Sequence, residues 1–128
     1  MANTFKVVTF AEEPNASGTP YVMYTAATTP TTTTVVLGLI LSNTHTSQVT
    51  ATVRLVSDTS ARGGALSSGV NTVANGTSII IKDAPIPVGS SLELMAGNKV
   101  VLESTDHITI DCSVADKLSG TLSIMEIT

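Results

Sequence analysis

Three aspartates recur at intervals of five, Asp106, Asp111 and Asp116, and two glutamates, Glu93 and Glu103, stand nearby. Closely spaced acids are what a calcium ion needs, but the EF-hand order of ligands along a twelve-residue loop is absent here. Asp111 falls inside an alternating apolar run and the other two fall near its ends. The expectation is therefore solvated carboxylates at strand ends. Glu93 and Glu103 flank two short apolar runs that read as one hairpin. Two acids facing one cleft are the requirement of glycoside hydrolysis, and like charges on an exposed sheet face are a weak sign of it.

The other reactive side chains are scattered. His45 and His107 are separated by a strand or more and belong to no HExxH or similar spacing. A zinc site would also need a cysteine or carboxylate cluster, so both histidines are expected as exposed turn residues. The single cysteine, Cys112, excludes an intrachain disulfide. In HITIDCSV it is in phase with Ile108, Ile110 and Val114, which reads as a buried, inert thiol. No GxSxG elbow, GxGxxG loop or P-loop is present. Nothing in these patterns calls for an enzyme, a metal or a cofactor.

The elements that would position such groups are short and extended. Residues 79–110, IIIKDAPIPVGSSLELMAGNKVVLESTDHITI, hold four apolar runs punctuated by turn chemistry, which is the writing of an all-β antiparallel sandwich, jelly-roll-like or immunoglobulin-like. Residues 4–10 read as a first strand. Residues 35–42, VVLGLILS, are apolar on both faces, and 48–57 alternate cleanly, with Val49, Ala51, Val53 and Leu55 on one side. Around the polar turn NTHTS these two segments are expected to form a hairpin. Residues 78–82, 91–95, 100–103, 108–114 and 121–127 complete a count of about eight strands, and DAPIPVG at 83–89 reads as a connection fixed by Pro85 and Pro87.

Two stretches are written differently. From 11 to 34 the chain carries Pro14, Pro20 and Pro30 and a run of threonines around the patch Tyr21, Val22, Met23, Tyr24. Proline lacks the ladder donor and biases its predecessor to extended geometry. The expected organisation is an extended N-terminal strand and arm over 1–33, with Tyr21 to Tyr24 as one short edge strand, and a sandwich core over 34–128, in one domain overall. The arm reads either as a poorly ordered leader or as a strap ordering against a neighbouring subunit, and contact is favoured because both tyrosines lie in it and tyrosine is enriched at interfaces. Residues 58–77 are rich in Gly, Ser and Asn with a weak apolar beat at Leu66, Val70 and Val73. A loop of that length in a compact domain is functional or unstructured. Candidate partner-binding residues are therefore Tyr21, Val22, Met23 and Tyr24 in the arm and Arg62, Leu66 and Val70 in the loop.

Composition narrows the partners. The chain has 21 Thr and 14 Ser among 128 residues, only 12% charged residues and a formal net charge of −4. Six Lys and Arg spread singly give no basic stripe, so direct nucleic-acid binding is not expected. The longest apolar run, 35–41, is well short of the roughly 20 residues of a membrane-spanning helix. The start, MANTFKVVTF, shows no cationic segment followed by an apolar stretch, so a protein made and kept soluble is expected. A hydroxyl-rich surface loses less on desolvation than a charged one and suits coverage by another protein. Threonine is also simply a good strand residue, and composition leaves both readings standing.

Four pieces carry a family likeness: SNT at 42–44, VTATVRL at 49–55, the PIPVGSSLELM run at 85–95 and GNKVVLESTDHI at 97–108. In these the chain resembles small virion structural proteins of tailed bacteriophages, including cyanophages and other marine phages, over about its last three quarters. The resemblance implies a head decoration or cement protein, or alternatively a tail, neck or fibre-associated component that is structural or binds host glycans. It further implies a homo-oligomer assembled in the host cytoplasm, located on the virion, with the major capsid protein or other virion proteins as partners. If the arm makes those contacts, deleting 11–34 leaves a folded core that no longer holds the particle.

Overall fold

Period-two alternation sends every second side chain of a strand to the same face, and here it builds two sheets that share one aliphatic core. A computed structural model describes residues 3–27, 32–57, 77–95 and 99–128. They form β1 (Asn3–Glu13), β2 (Tyr21–Thr25), β3 (Thr33–Asn43), β4 (Val49–Val56), β5 (Thr77–Ile86), β6 (Ser91–Leu94), β7 (Val100–Leu102), β8 (His107–Cys112) and β9 (Leu118–Ile127). Sheet A has five strands in the order β1-β9-β3-β6, with β7 also on β3, and sheet B has four in the order β2-β8-β4-β5. Every pairing is antiparallel. This is the expected all-β sandwich. No helix among the described residues is long and apolar enough to cross a membrane.

Between the sheets lie Val36, Leu39 and Leu41 of β3, Leu122 and Ile124 of β9, Val53 of β4, and Ile108 and Ile110 of β8, each at most 1% exposed. Burying one such aliphatic side chain is worth about 1.5–3 kcal/mol. Cys112 joins them as a buried free thiol, in the phase its alternation indicated.

Strand β3 explains why VVLGLIL looks apolar on both faces. Its register against β9 shifts between Val36 and Gly38. Thr34 and Val36 are buried before the shift, and Leu39, Leu41 and Asn43 after it. One inserted residue has moved the inward positions from even to odd numbers, as a β-bulge does.

Pairing differs from the expected hairpins in two places. Segments 35–42 and 48–57 do not pair, because β3 lies in sheet A and β4 in sheet B. Asn43 sets the crossing: its Nδ2 donates to the carbonyls of Ser47 (3.0 Å) and Ile86 (2.8 Å), and its Oδ1 accepts from the His45 amide (2.7 Å). Segments 91–95 and 100–103 are not a hairpin either. β6 and β7 lie in succession along one edge of β3, with Leu94 opposite Leu39 and Val100 opposite Val36, so the chain keeps its direction.

Two boundaries also move. β5 runs on through Pro85 to Ile86, beyond the expected end at Lys82. It is the outermost strand of sheet B, and an edge strand tolerates a residue without an amide donor. At the N-terminus, the strands expected at 4–10 and 21–24 are β1 and β2, each slightly longer than read and each on the margin of a sheet, β1 beside β9 and β2 beside β8. Met23 and Ala26 enter the core, and Val8, Phe10, Tyr21 and Tyr24 pack against it. Apolar residues at alternate positions in this segment had a core face to cover, which its prolines and threonines obscured.

Candidate interaction surfaces

The residues expected to bind a partner fall into different environments. Met23 is 5% exposed and belongs to the core. Tyr21 and Tyr24 are half-buried and face inward, opposite Ile110 and Ile108 of β8, while Val22 faces outward opposite Thr109. A register shift between Val22 and Tyr24 inserts Met23 and turns both tyrosines toward the core. Arg62, Leu66 and Val70, with the loop around them, lie outside the described residues.

Both tyrosines fasten the two sheets along one side. The rings of Phe10 on β1 and Tyr21 on β2 stand 5.3 Å apart between centroids, tilted by 55°. Further along, the Tyr24 hydroxyl donates to Glu126 Oε2 (3.0 Å). With its one proton so used, Tyr24 oxygen is left to accept from Thr34 Oγ1 (3.1 Å), a residue with no exposed surface. Glu126 Oε1 pairs with Lys6 Nζ at 2.6 Å. The lysine hydrogen bond holds the Glu126 carboxyl below its usual range and raises Lys6, while burial pushes the Tyr24 phenol up. This chain of contacts ties β1, β9 and β3 of sheet A to β2 of sheet B. A signal for it stood in TLSIMEI: Glu126 is in phase with the buried Leu122 and Ile124, so an acid there needs an internal partner.

The acids considered for metal or hydrolytic chemistry have structural work. Asp106, expected as solvated, is 3% exposed, and its Oδ2 accepts from the Glu103 amide at 3.1 Å. It caps the turn into β8, the local bonding for which aspartate is favoured. Asp111 Oδ1 accepts from the amides of Gly18 (3.1 Å) and Cys112 (2.9 Å), which pins the loop after β1 to sheet B. Asp116 holds a positive φ of 59°, with its amide bonded to Pro14. Glu93 stands opposite Ile40, whereas Glu103 follows Leu102, which stands opposite Thr34. They are therefore separated by roughly 20 Å along β3, too far to share one bond. Among the described residues no group of three or more His, Cys, Asp or Glu is placed to hold a metal ion.

The outward face of sheet A is a different kind of surface. Phe5, Met125, Val35 and Val101 form one cross-strand row over β1, β9, β3 and β7. Phe5 is 71% exposed, Val7 63%, Val101 56% and Ile40 39%. Beside the row lies a hollow of about 280 Å³ whose lining includes Leu37, Gly38, Ile40, Thr121 and Ser123. A Cβ placed on Gly38 would meet nothing within 4 Å, so the missing side chain opens the hollow outward. From strand spacing and rise this face spans roughly 400 Å², with the hydroxyls of Thr121 and Ser123 set among its apolar side chains, the size of the largest patches that monomers leave in water. The outward row of sheet B is mixed by comparison: Val22, Arg54 and Ile79, with the buried Thr109 between Val22 and Arg54.

Comparison with known proteins finds remote likenesses only. No family model matches the sequence, and no curated protein matches it. Similar solved structures include a chain of the disulfide-linked pili of Bacillus endospore appendages, at 15% identity and a TM-score of 0.47, covering 99% of this chain and 87% of that one. A chain from the acidic stable capsid of Helicobacter pylori bacteriophage KHP30 shows 9% identity and a TM-score of 0.46 over 100% and 89%. A chain of infectious bursal disease virus, Gx strain, shows 14% identity and a TM-score of 0.45, covering 97% of this chain and 32% of that one.

Proposed function

We propose that this protein is a structural virion component of a tailed phage, a decoration or cement protein that stabilises the head by contacts repeated in many copies. The observation that carries the reading is the outward face of sheet A, where Phe5, Val7, Ile40 and Val101 stand in solvent around the Gly38 hollow. A face of roughly 400 Å² is about half of what one partner gives to a standard stable interface. A single contact of that size is weak, and many on one particle hold by avidity. The low charge and abundant hydroxyls of the chain keep the desolvation cost small. Its partners are the major capsid protein or other virion proteins, and the resemblance of 42–44, 49–55, 85–95 and 97–108 to tailed-phage virion proteins supplies the setting.

The test is reconstitution. Heads and tails stripped of the chain are mixed separately with purified protein, and bound copies are counted after sedimentation. Saturable rebinding to heads is expected. Rebinding to tails alone would favour the tail or fibre-associated alternative, and binding to neither would overturn the virion reading.

A further inference from the structure

We propose that two copies of this chain pair through the free edge of β1, antiparallel and with Val7 on the twofold axis, so that sheet A continues from one copy into the next. The inference deepens the multi-copy reading above and takes its setting from it. Among the described residues β1 pairs with β9 alone and ends the sheet, so its other side presents unpaired amides and carbonyls. Natural edges are blunted by proline, bulges or exposed charge. Residues 3–10 carry neither proline nor bulge, and their one charge sits on the half-exposed side chain of Lys6, which is turned onto Glu126. Their register with β9 is unbroken from Asn3 to Phe10. The blunting devices come immediately after: a register shift between Phe10 and Glu13, Glu12 at a φ of 60°, and two adjacent acids. The same strand carries Phe5 and Val7, the most exposed of the large hydrophobic residues described.

A second copy fits this edge because the strand complements itself. A twofold axis perpendicular to the sheet keeps both outward faces on one side and places odd-numbered residues opposite odd-numbered ones. With Val7 opposite the partner's Val7, Phe5 meets Thr9, Lys6 meets Val8 and Thr4 meets Phe10. Glu12 and Glu13 fall beyond the paired stretch. Sliding by two residues so that Val7 meets Phe5 would set Lys6 against Lys6, and like charges directly opposite are destabilising. Joining two copies in this way gives a shared outward face of roughly 800 Å², the share one partner gives to a standard interface.

The experiment is disulfide trapping of the full chain with no particle present. Directly opposite residues have Cα atoms about 4.5–5.5 Å apart, inside the window of about 4.4–6.8 Å that a disulfide requires. Val7→Cys is therefore expected to give a covalent dimer under mild oxidation. Thr9→Cys faces the partner's Phe5, with its own counterpart roughly 14 Å away, and is expected to give about tenfold less or none. No dimer from Val7→Cys, or equal yields from both, overturns the pairing. A second measurement does not depend on the new thiol: Val7→Lys and Val7→Glu each abolish association in sedimentation equilibrium while keeping the native circular dichroism, and an equimolar mixture restores it. Association that survives either charge alone, or fails to return in the mixture, also overturns the proposal. A monomer that still rebinds heads removes this pairing and leaves the virion reading intact, whereas a dimer that binds neither heads nor tails does the reverse.

Discussion

The ring of Phe10 lies over Gly120, its cross-strand partner on β9, and a side chain added at Gly120 would collide with that ring. An aromatic residue covering a glycine on a neighbouring strand fixes register and shields the backbone. Phe10 also meets Tyr21 of the other sheet, so one ring joins the margin of sheet A to that of sheet B. Gly120→Ala is expected to displace the ring and cost about 1–3 kcal/mol, as overpacking does. In a Phe10→Ala background the same change is expected to cost little, since the obstacle is gone, and a double-mutant cycle by urea unfolding reads the coupling.

The clasp between Lys6, Glu126 and Tyr24 makes stability depend on pH at both ends. Glu126 is held below its usual value of 4.5, chiefly by the hydrogen bond from Lys6. The unfolded chain thus binds a proton first, and stability falls as pH drops below about 4.5 and through the folded value. Lys6 and Tyr24 are raised above 10.5 and 10.0, so their contributions are present below those values and are lost as pH rises through the folded ones. Glu126→Gln is expected to flatten the acid limb of a plot of unfolding midpoint against pH. An unchanged acid limb would mean that other carboxylates set it.

Asn43 makes three hydrogen bonds that organise the crossing from β3 to β4 and tie it to the end of β5. Asn43→Leu leaves the carbonyls of Ser47 and Ile86 and the His45 amide without this partner. A net hydrogen bond is worth about 0.5–1.5 kcal/mol and an orphaned buried group costs about 1–3, so a loss of roughly 2–4 kcal/mol is expected in chemical denaturation.

Strand positions were legible in the alternation, and pairing was not. Cys112 could be placed in the core because Ile108 and Ile110 precede it in phase. Which strands are neighbours depends on contacts remote in sequence. Nothing local in NTHTS says that its chain crosses between sheets, since the decisive bond from Asn43 reaches Ile86. Bulges hid the rest. The inserted residue in β3 made one inward face look like two, and Met23 in β2 concealed that both tyrosines point inward. The outward patch was harder still, because Phe5, Met125, Val35 and Val101 become a row only when four strands are in register.

Deletion of 11–34 is now expected to destroy the fold. The segment supplies β2 with Met23 and Ala26 to the core, and the Ala26 amide bonds to the Asp106 carbonyl at 2.8 Å. Loss of those apolar groups would bare β8 and open the core to water. Far-ultraviolet circular dichroism of the truncated chain should show the sheet signal lost.

Gly38→Leu separates binding from folding. The glycine faces outward at the β3 register shift, its φ is not in the left-handed region, and a Cβ there would touch nothing within 4 Å. A larger residue therefore needs no movement of the core, and stability is expected to change by no more than about 0.5 kcal/mol, as for surface substitutions in general. The added side chain would occupy the hollow between Ile40 and Ser123 that a partner's apolar group would otherwise fill. Buried anchors in such pockets carry much of an interface's free energy, about 2 kcal/mol or more each, which is roughly a thirtyfold loss of affinity. Rebinding to stripped heads should fall by that order while the unfolding midpoint stays put. Undiminished rebinding by the folded variant would place the contact on another face, with the exposed Val22 and Ile79 in the outward row of sheet B the next to alter.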